Sequence, residues 1–414
     1  MTGGTGAAHL SAMRNSHRLL LAAVLLPAIV TAQAPAPARR APVIVLGFDG
    51  FARRYLDEDS APAFRALARE GVTAEAMIPS FPSFTFPNWY AMATGLYPAH
   101  SGIVNNIFYD PAFDTVFIFT KPIAREGRWW GGDPIWNTAV RQGKRSATMF
   151  WVGSDAPVGG HLPTYWQAFD AKVPFHARVA QVLAWLDLPD STRPDLIMAY
   201  FQEPDHTGHE NGPDSPEVRA AVLGVDSALA TLVAGLRARG LYDRANLVIV
   251  ADHGMAATGP ERVVYLDDVV DSSSVRVVYL TPLLLIEPKD SDRAALLGKL
   301  RSLPHVSAWL RDSVPARLHY SGNPRITSIV GVADDGWTIA WRHGKAVKPG
   351  GAHGYDNQLR SMQAIFIAHG GAFKGGTTLP PFENVNIYAL LAHLLGVNPS
   401  PSDGSLAPFE SILK

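Results

Sequence analysis

Three short apolar runs in this sequence end alike. Residues 42–48 (PVIVLGF) run straight into Asp49, residues 194–201 (PDLIMAYF) lead to Asp205 and His206, and residues 246–251 (NLVIVA) lead to Asp252 and His253. Such runs read as buried strands. They alternate with longer amphipathic stretches, the pattern of a mostly parallel central sheet flanked by helices in an α/β fold. Ligands in open α/β sheets gather outside the carboxyl ends of the strands, so the polar residues that close these runs fall where a site belongs. A chain of 414 residues with 47% hydrophobic content can build such a core.

Other elements follow from local signals. Helices are expected over residues 63–70, closed by Gly71, over 88–94, entered through Pro87 and ended by Gly95, and over 216–240. Residues 146–151 read as a further strand. From 261 to 350 the texture changes: 263–266, 275–286 and 338–341 read as β segments, with a helix near 293–303. We expect a smaller α+β insertion subdomain at 261–350, between catalytic-core parts at 42–260 and 351–414. The core resumes with a strand at 363–368 and closes with a helix over 386–395.

The first residues carry an address. Arg14, His17 and Arg18 precede twelve apolar residues at 19–30, and Ala32-Gln33-Ala34 follows as an A-x-A cleavage pattern. Twelve residues are too few to cross a hydrocarbon core of ~30 Å as a helix. The expectation is a signal peptide at 1–34, begun at Met1 or Met13, and a Pro-Ala linker at 35–41. The mature protein is then periplasmic or secreted and has no membrane anchor.

Charge and cysteine narrow the chemistry. With 36 Lys plus Arg against 37 Asp plus Glu, the chain has no bulk basic field and no obligate nucleic-acid partner is expected. The absence of cysteine excludes thiolate zinc sites, cysteine nucleophiles and a lipidated cysteine. Any metal must be held by His, Asp, Glu or hydroxyl oxygen. Four segments offer such groups at strand ends: Asp49 in GFDGF, Asp205 to His209, Asp252-His253, and His353 in GGAHGYDN. A strand-terminal Asp is often a helix cap and a lone His is often a satisfied polar residue. Three Asp and three His together match two oxygen/nitrogen zinc sites. Thr85 lies just before an expected helix, whose orphan N–H groups favour a phosphate oxygen. The local residues leave it open whether Thr85 is a nucleophile or an N-cap.

The run TFPNWYAMATGLYPAHSGIVNN resembles the signature of nucleotide pyrophosphatase/phosphodiesterases, in the alkaline phosphatase superfamily. The resemblance continues through GFDGF, DPIWNTAVRQGKRSATMFWVGSD, YFQEPDHTGHENGP, VADHGM and GAHGYDNQLRSMQAIFIAHGGAF. It covers roughly 42–400, weakest over 261–350. It implies a bacterial, minimal catalytic-domain form with two zinc ions. Asp205, His209 and His353 would bind one zinc. Asp49, Asp252 and His253, with the Thr85 oxygen, would bind the other. Thr85 would attack phosphorus and form a phosphothreonine, and Asn106 would donate to a phosphate oxygen. Tyr200 would stack on a nucleobase, with Ile118 or Phe119 as the opposite wall. Val152 departs from the pattern, which has proline there. The substrate would be a small nucleotide or another phosphodiester. Choline-phosphate lipids, monoesters or phosphonates, and a metal-binding protein without catalysis are the alternatives.

Overall fold

The computed structural model describes residues 41–414, apart from Asp59 and Ser291, together with Met1, Gly3 and Gly4. Apart from Met1, Gly3 and Gly4, the expected signal peptide lies outside the described residues, as does nearly all of the linker. The central sheet has eight strands in the order Thr377–Leu379, Val72–Ala74, Phe366–His369, Asn246–Val250, Val43–Phe48, Leu196–Phe201, Ser146–Met149, Tyr165–Gln167. Neighbours run parallel except at Phe366–His369, which is antiparallel to both strands beside it.

The three runs singled out in the sequence lie side by side at the centre, and every residue of those strands is buried. Helices cover both faces of such a sheet, which is why the runs show no polar alternation. Val43 pairs with both Leu196 and Asn246, so the three strands finish together and deliver Asp49, Asp205 and Asp252 to one edge.

Helices cover this sheet for legible reasons. Pro216–Ala238 starts at Ser215, whose side chain accepts from the Val218 N–H, and buries Val218, Val222, Val225, Leu229, Leu232 and Leu236 at helical spacing. Its Asp226 accepts from the N–H groups of Ala63 and Phe64 at 2.7 and 3.0 Å, and so caps the Pro62–Glu70 helix. Among the described residues Pro216–Ala238 alone is long and apolar enough to cross a membrane by length and composition. Here it packs against the Pro62–Glu70 and Phe175–Leu186 helices.

Some expectations shift. The 146–151 strand ends at Met149, because Phe150 turns to a φ of 66°. The 275–286 run is two antiparallel strands, Val275–Tyr279 and Leu283–Pro288, separated at Thr281 with a φ of 64°. With Ile329–Ala333 and Val306–Leu310 they form a second, antiparallel sheet of four strands. Its faces divide cleanly: Leu283, Leu285 and Val330 join the main core, while Leu284, Ile286 and Ile329 pack with Leu296 and Leu300 of the Arg293–Arg301 helix.

Candidate metal and nucleophile site

The site is assembled at the carboxyl edge of the central strands. Asp49 donates its N–H to Phe201 O, and Gly50 donates to Asp252 Oδ1 at 3.1 Å. Gly50 has a φ of 65°, and a Cβ there would sit 2.8 Å from Asp205 Cβ, so only glycine lets these two segments meet. The Asp205–Asn211 helix carries Asp205 and His209 one turn apart. His353 follows the Gly350–Ala352 strand, which lies against that helix.

All three histidines are oriented in the same way. Nδ1 faces a backbone carbonyl in each: Gly351 O for His209 at 2.9 Å, Gly254 O for His253 at 2.9 Å, and Ser83 O for His353 at 2.8 Å. A carbonyl can only accept, so Nδ1 carries a proton, and in the neutral ring Nε2 is the lone-pair donor. The Nε2 atoms converge. His209 and His353 Nε2 are 3.0 Å apart, and each lies 3.5 Å from an Asp205 oxygen. His253 Nε2 lies 3.1 Å from Asp252 Oδ2, 3.5 Å from Asp49 Oδ1 and 3.4 Å from Thr85 Oγ1. Ligand atoms of Asp205, His209 and His353 lie within 4.8 Å of one another, and so do those of Asp49, Asp205 and His253. Asp205 therefore stands between two clusters rather than in one.

The carboxylates of the site are electrostatically unsatisfied by the protein alone. Asp49 Oδ1, Asp205 Oδ1 and Asp252 Oδ2 are buried with no hydrogen-bond partner, an arrangement that is costly unless a cation completes it. Burial, then the charges of Asp252 and Asp205, push the Asp49 carboxyl well above its ordinary range. Burial presses His253 toward neutrality, but Asp252, Asp49 and Asp205 override it and raise its pKa to about 10. His353 moves the other way, lowered by burial and by His253 and His209. Divalent cations fit this donor set. They would meet the orphan oxygens and leave the imidazoles neutral, and the Asp/His composition suits zinc.

Thr85 is the first residue of the Thr85–Thr94 helix, three residues earlier than expected. Phe84 holds the cap position with no side-chain cap bond, so Thr85 does not cap the helix and its hydroxyl faces His253. Asn106 Oδ1 accepts from Phe86 N–H at 2.9 Å, which commits the carbonyl and leaves the amide NH₂ to the cavity that Asn106 lines.

That cavity, about 590 Å³, has Asp49, Thr85, Asp205, His209 and His353 in its lining and aromatic side chains for walls. Phe119 lines it and Ile118 does not, because Ile118 pairs with Ile107 in a hairpin. Tyr200 reaches the lining, but only 8% of the residue is exposed and its hydroxyl donates to Asp49 Oδ2 at 2.5 Å. It is a poor stacking face. Phe86 and Phe169 offer better ones, and Phe169 is 46% exposed. Phe86 was legible as the neighbour of Thr85. Phe169 was not, since its place depends on packing against Phe150 and Tyr200.

A mostly parallel sheet with two metal-ready clusters and a threonine at one edge defines an alkaline-phosphatase-like fold. The model of the type I phosphodiesterase/nucleotide pyrophosphatase family matches residues 43–356. A venom phosphodiesterase of Crotalus durissus collilineatus is 38% identical over 395 residues, spanning 92% of this chain and 47% of that protein. Ectonucleotide pyrophosphatase/phosphodiesterase family member 3 of Rattus norvegicus is 36% identical, with 92% and 45% covered. The chain thus spans about half the length of these relatives. The structure of murine ectonucleotide pyrophosphatase/phosphodiesterase 5, an inactive threonine-to-alanine variant in complex with AMP, is similar over 91% of this chain and 100% of that one. Its TM-score is 0.86 at 32% identity. The chain belongs to the type I phosphodiesterase/nucleotide pyrophosphatase family.

Proposed function

We propose that this protein hydrolyses phosphodiester and pyrophosphate bonds of nucleotides, releasing nucleoside monophosphates through a phosphothreonine at Thr85. The observation that carries this reading is the Thr85 hydroxyl, at a helix start and 3.4 Å from His253 Nε2, beneath an aromatic-walled cavity. Two zinc ions are assigned, one to Asp205, His209 and His353, the other to Asp49, Asp252, His253 and the Thr85 oxygen. Bound there, they would supply Lewis-acid stabilisation of the attacking and leaving oxygens.

The chain's own residues do the rest. Thr85 Oγ1 gives its proton to solvent and attacks phosphorus, the bond from phosphorus to the leaving group breaks with its electron pair going to that group, and the nucleoside phosphoryl group rests on Thr85. Water then attacks from the vacated side, the bond to Oγ1 breaks, and Thr85 recovers its proton. Asn106 Nδ2 donates to a phosphoryl oxygen on which negative charge builds. Phe86 and Phe169 clasp the base, and Phe119 closes the slot.

A substrate panel tests the reading. A nucleoside triphosphate and p-nitrophenyl thymidine phosphate are expected to turn over faster than a choline phosphodiester or a phosphate monoester. Faster cleavage of the choline diester would move the protein to lipid head groups. The names of the venom and ectoenzyme relatives support export, and we assign the mature protein to the periplasm or exterior, cleaved after Ala34. Residues 261–350 are read as an insertion subdomain, supported by their separate four-stranded sheet.

A further inference from the structure

Tyr200 stands directly across from Gly47 in the sheet, and Asp49 lies two residues beyond Gly47 on the same chain segment. Gly47 matters here because a Cβ would come 2.5 Å from Trp89 Cη2. Without one, the indole settles over the strand and meets the Tyr200 ring edge-on at 5.6 Å, while Phe169 packs on that ring at 5.8 Å. Held between strands and rings, the phenol reaches Asp49 and donates to Oδ2 at 2.5 Å. The other oxygen, Oδ1, is buried with no hydrogen-bond partner and lies 3.5 Å from His253 Nε2.

We propose that Tyr200 is a positioning residue for the deep metal site: its hydroxyl occupies Asp49 Oδ2, so that the carboxylate presents Oδ1 alone. This rests on the assignment of Asp49 as a ligand. Without that bond the carboxylate turns about its own axis and offers both oxygens, and the site loses its set geometry. Outer groups that orient a metal ligand are typically worth about 10–100-fold in affinity. Asp205 is used differently. It directs Oδ1 to His353 and Oδ2 to His209, each at 3.5 Å. The proposal therefore touches one cluster and spares the other, which base stacking by Tyr200 would not do.

Tyr200→Phe keeps the ring and removes only the hydroxyl. Metal-free wild type and variant are titrated with zinc against a chromophoric chelator, and the sites are read again by the visible spectrum after cobalt loading. One of two affinities should fall about 10–100-fold with the other unchanged, the cobalt spectrum should change, and excess zinc should restore nucleotide hydrolysis. Two unchanged affinities overturn the proposal, even with a lower kcat/KM for nucleotides, and equal losses at both sites overturn it too. Fewer than two zinc ions in the wild type would overturn the two-metal reading itself, and this shows before any substitution is compared.

Discussion

The two clusters of the site differ in depth. Asp49, Asp252 and His253 have side chains at most 2% exposed, while in the other cluster His209 is 43% exposed and Asp205 15%, and His353 alone is buried, at 4%. The deep cluster sits where the central strands end, and Asp252 Oδ1 is held by the N–H groups of Gly50 and His253. The open cluster is built from a two-turn helix and a short strand at the mouth of the cavity. Depth fixes geometry at the cost of burying charge, whereas openness admits solvent and substrate. In the proposed reaction the nucleophile belongs beside the deep cluster, where Thr85 lies, and water and the leaving group would use the open one.

The largest effect expected is on Thr85. Thr85→Ala should lower kcat by on the order of 10⁴ or more, as removal of a covalent nucleophile does elsewhere, and should keep both metals because the ligands stay. Turnover and elemental analysis together check this, and near-wild-type kcat would break the link between depth and attack. Asn106→Ala comes next, at about 10²–10³ in kcat. A loss confined to KM would mark Asn106 as a ground-state contact instead.

Phe169→Ala sharpens the comparison from the substrate side. It should lower kcat/KM about tenfold for nucleotide diesters, in line with a base–aromatic stack of ~1–3 kcal/mol, and leave a dimethyl phosphate-type diester almost unchanged. The smallest effect is on stability. In the metal-free protein, Asp49→Asn removes one of several crowded buried carboxylates, so it should stabilise the fold by about 1 kcal/mol, the size a single stabilising substitution commonly reaches. Denaturant midpoints measured in chelator check it. Destabilisation would mean that the Tyr200 bond to Asp49 outweighs the repulsion.

How much of this was legible beforehand follows the same division. The central strands were plain because burial on both faces leaves continuous apolar runs, and the candidate ligands were plain because each run led into one. Thr85, Asn106 and Phe119 fell within readable motifs. The hydrogen bond of Tyr200 was not legible for a physical reason: sequence places an aromatic near the metal motif, but only the register opposite Gly47 turns its hydroxyl toward Asp49. Ile118 and Phe119 are neighbours, but Ile118 ends a hairpin strand paired with Ile107 while Phe119 lies just past it and lines the cavity. The strands at Val306–Leu310 and Ile329–Ala333 were not singled out, although Asp334 follows the second as directly as Asp49 follows its own run.

The central claim is that these unequal clusters each hold one metal around Thr85. Crystals of the zinc-loaded protein, with anomalous differences collected at the zinc edge, test it most directly. Two peaks are expected about 3.5–4 Å apart, one among Asp49, Asp252, His253 and Thr85 and one among Asp205, His209 and His353. A single peak, or one displaced from Thr85, would contradict it.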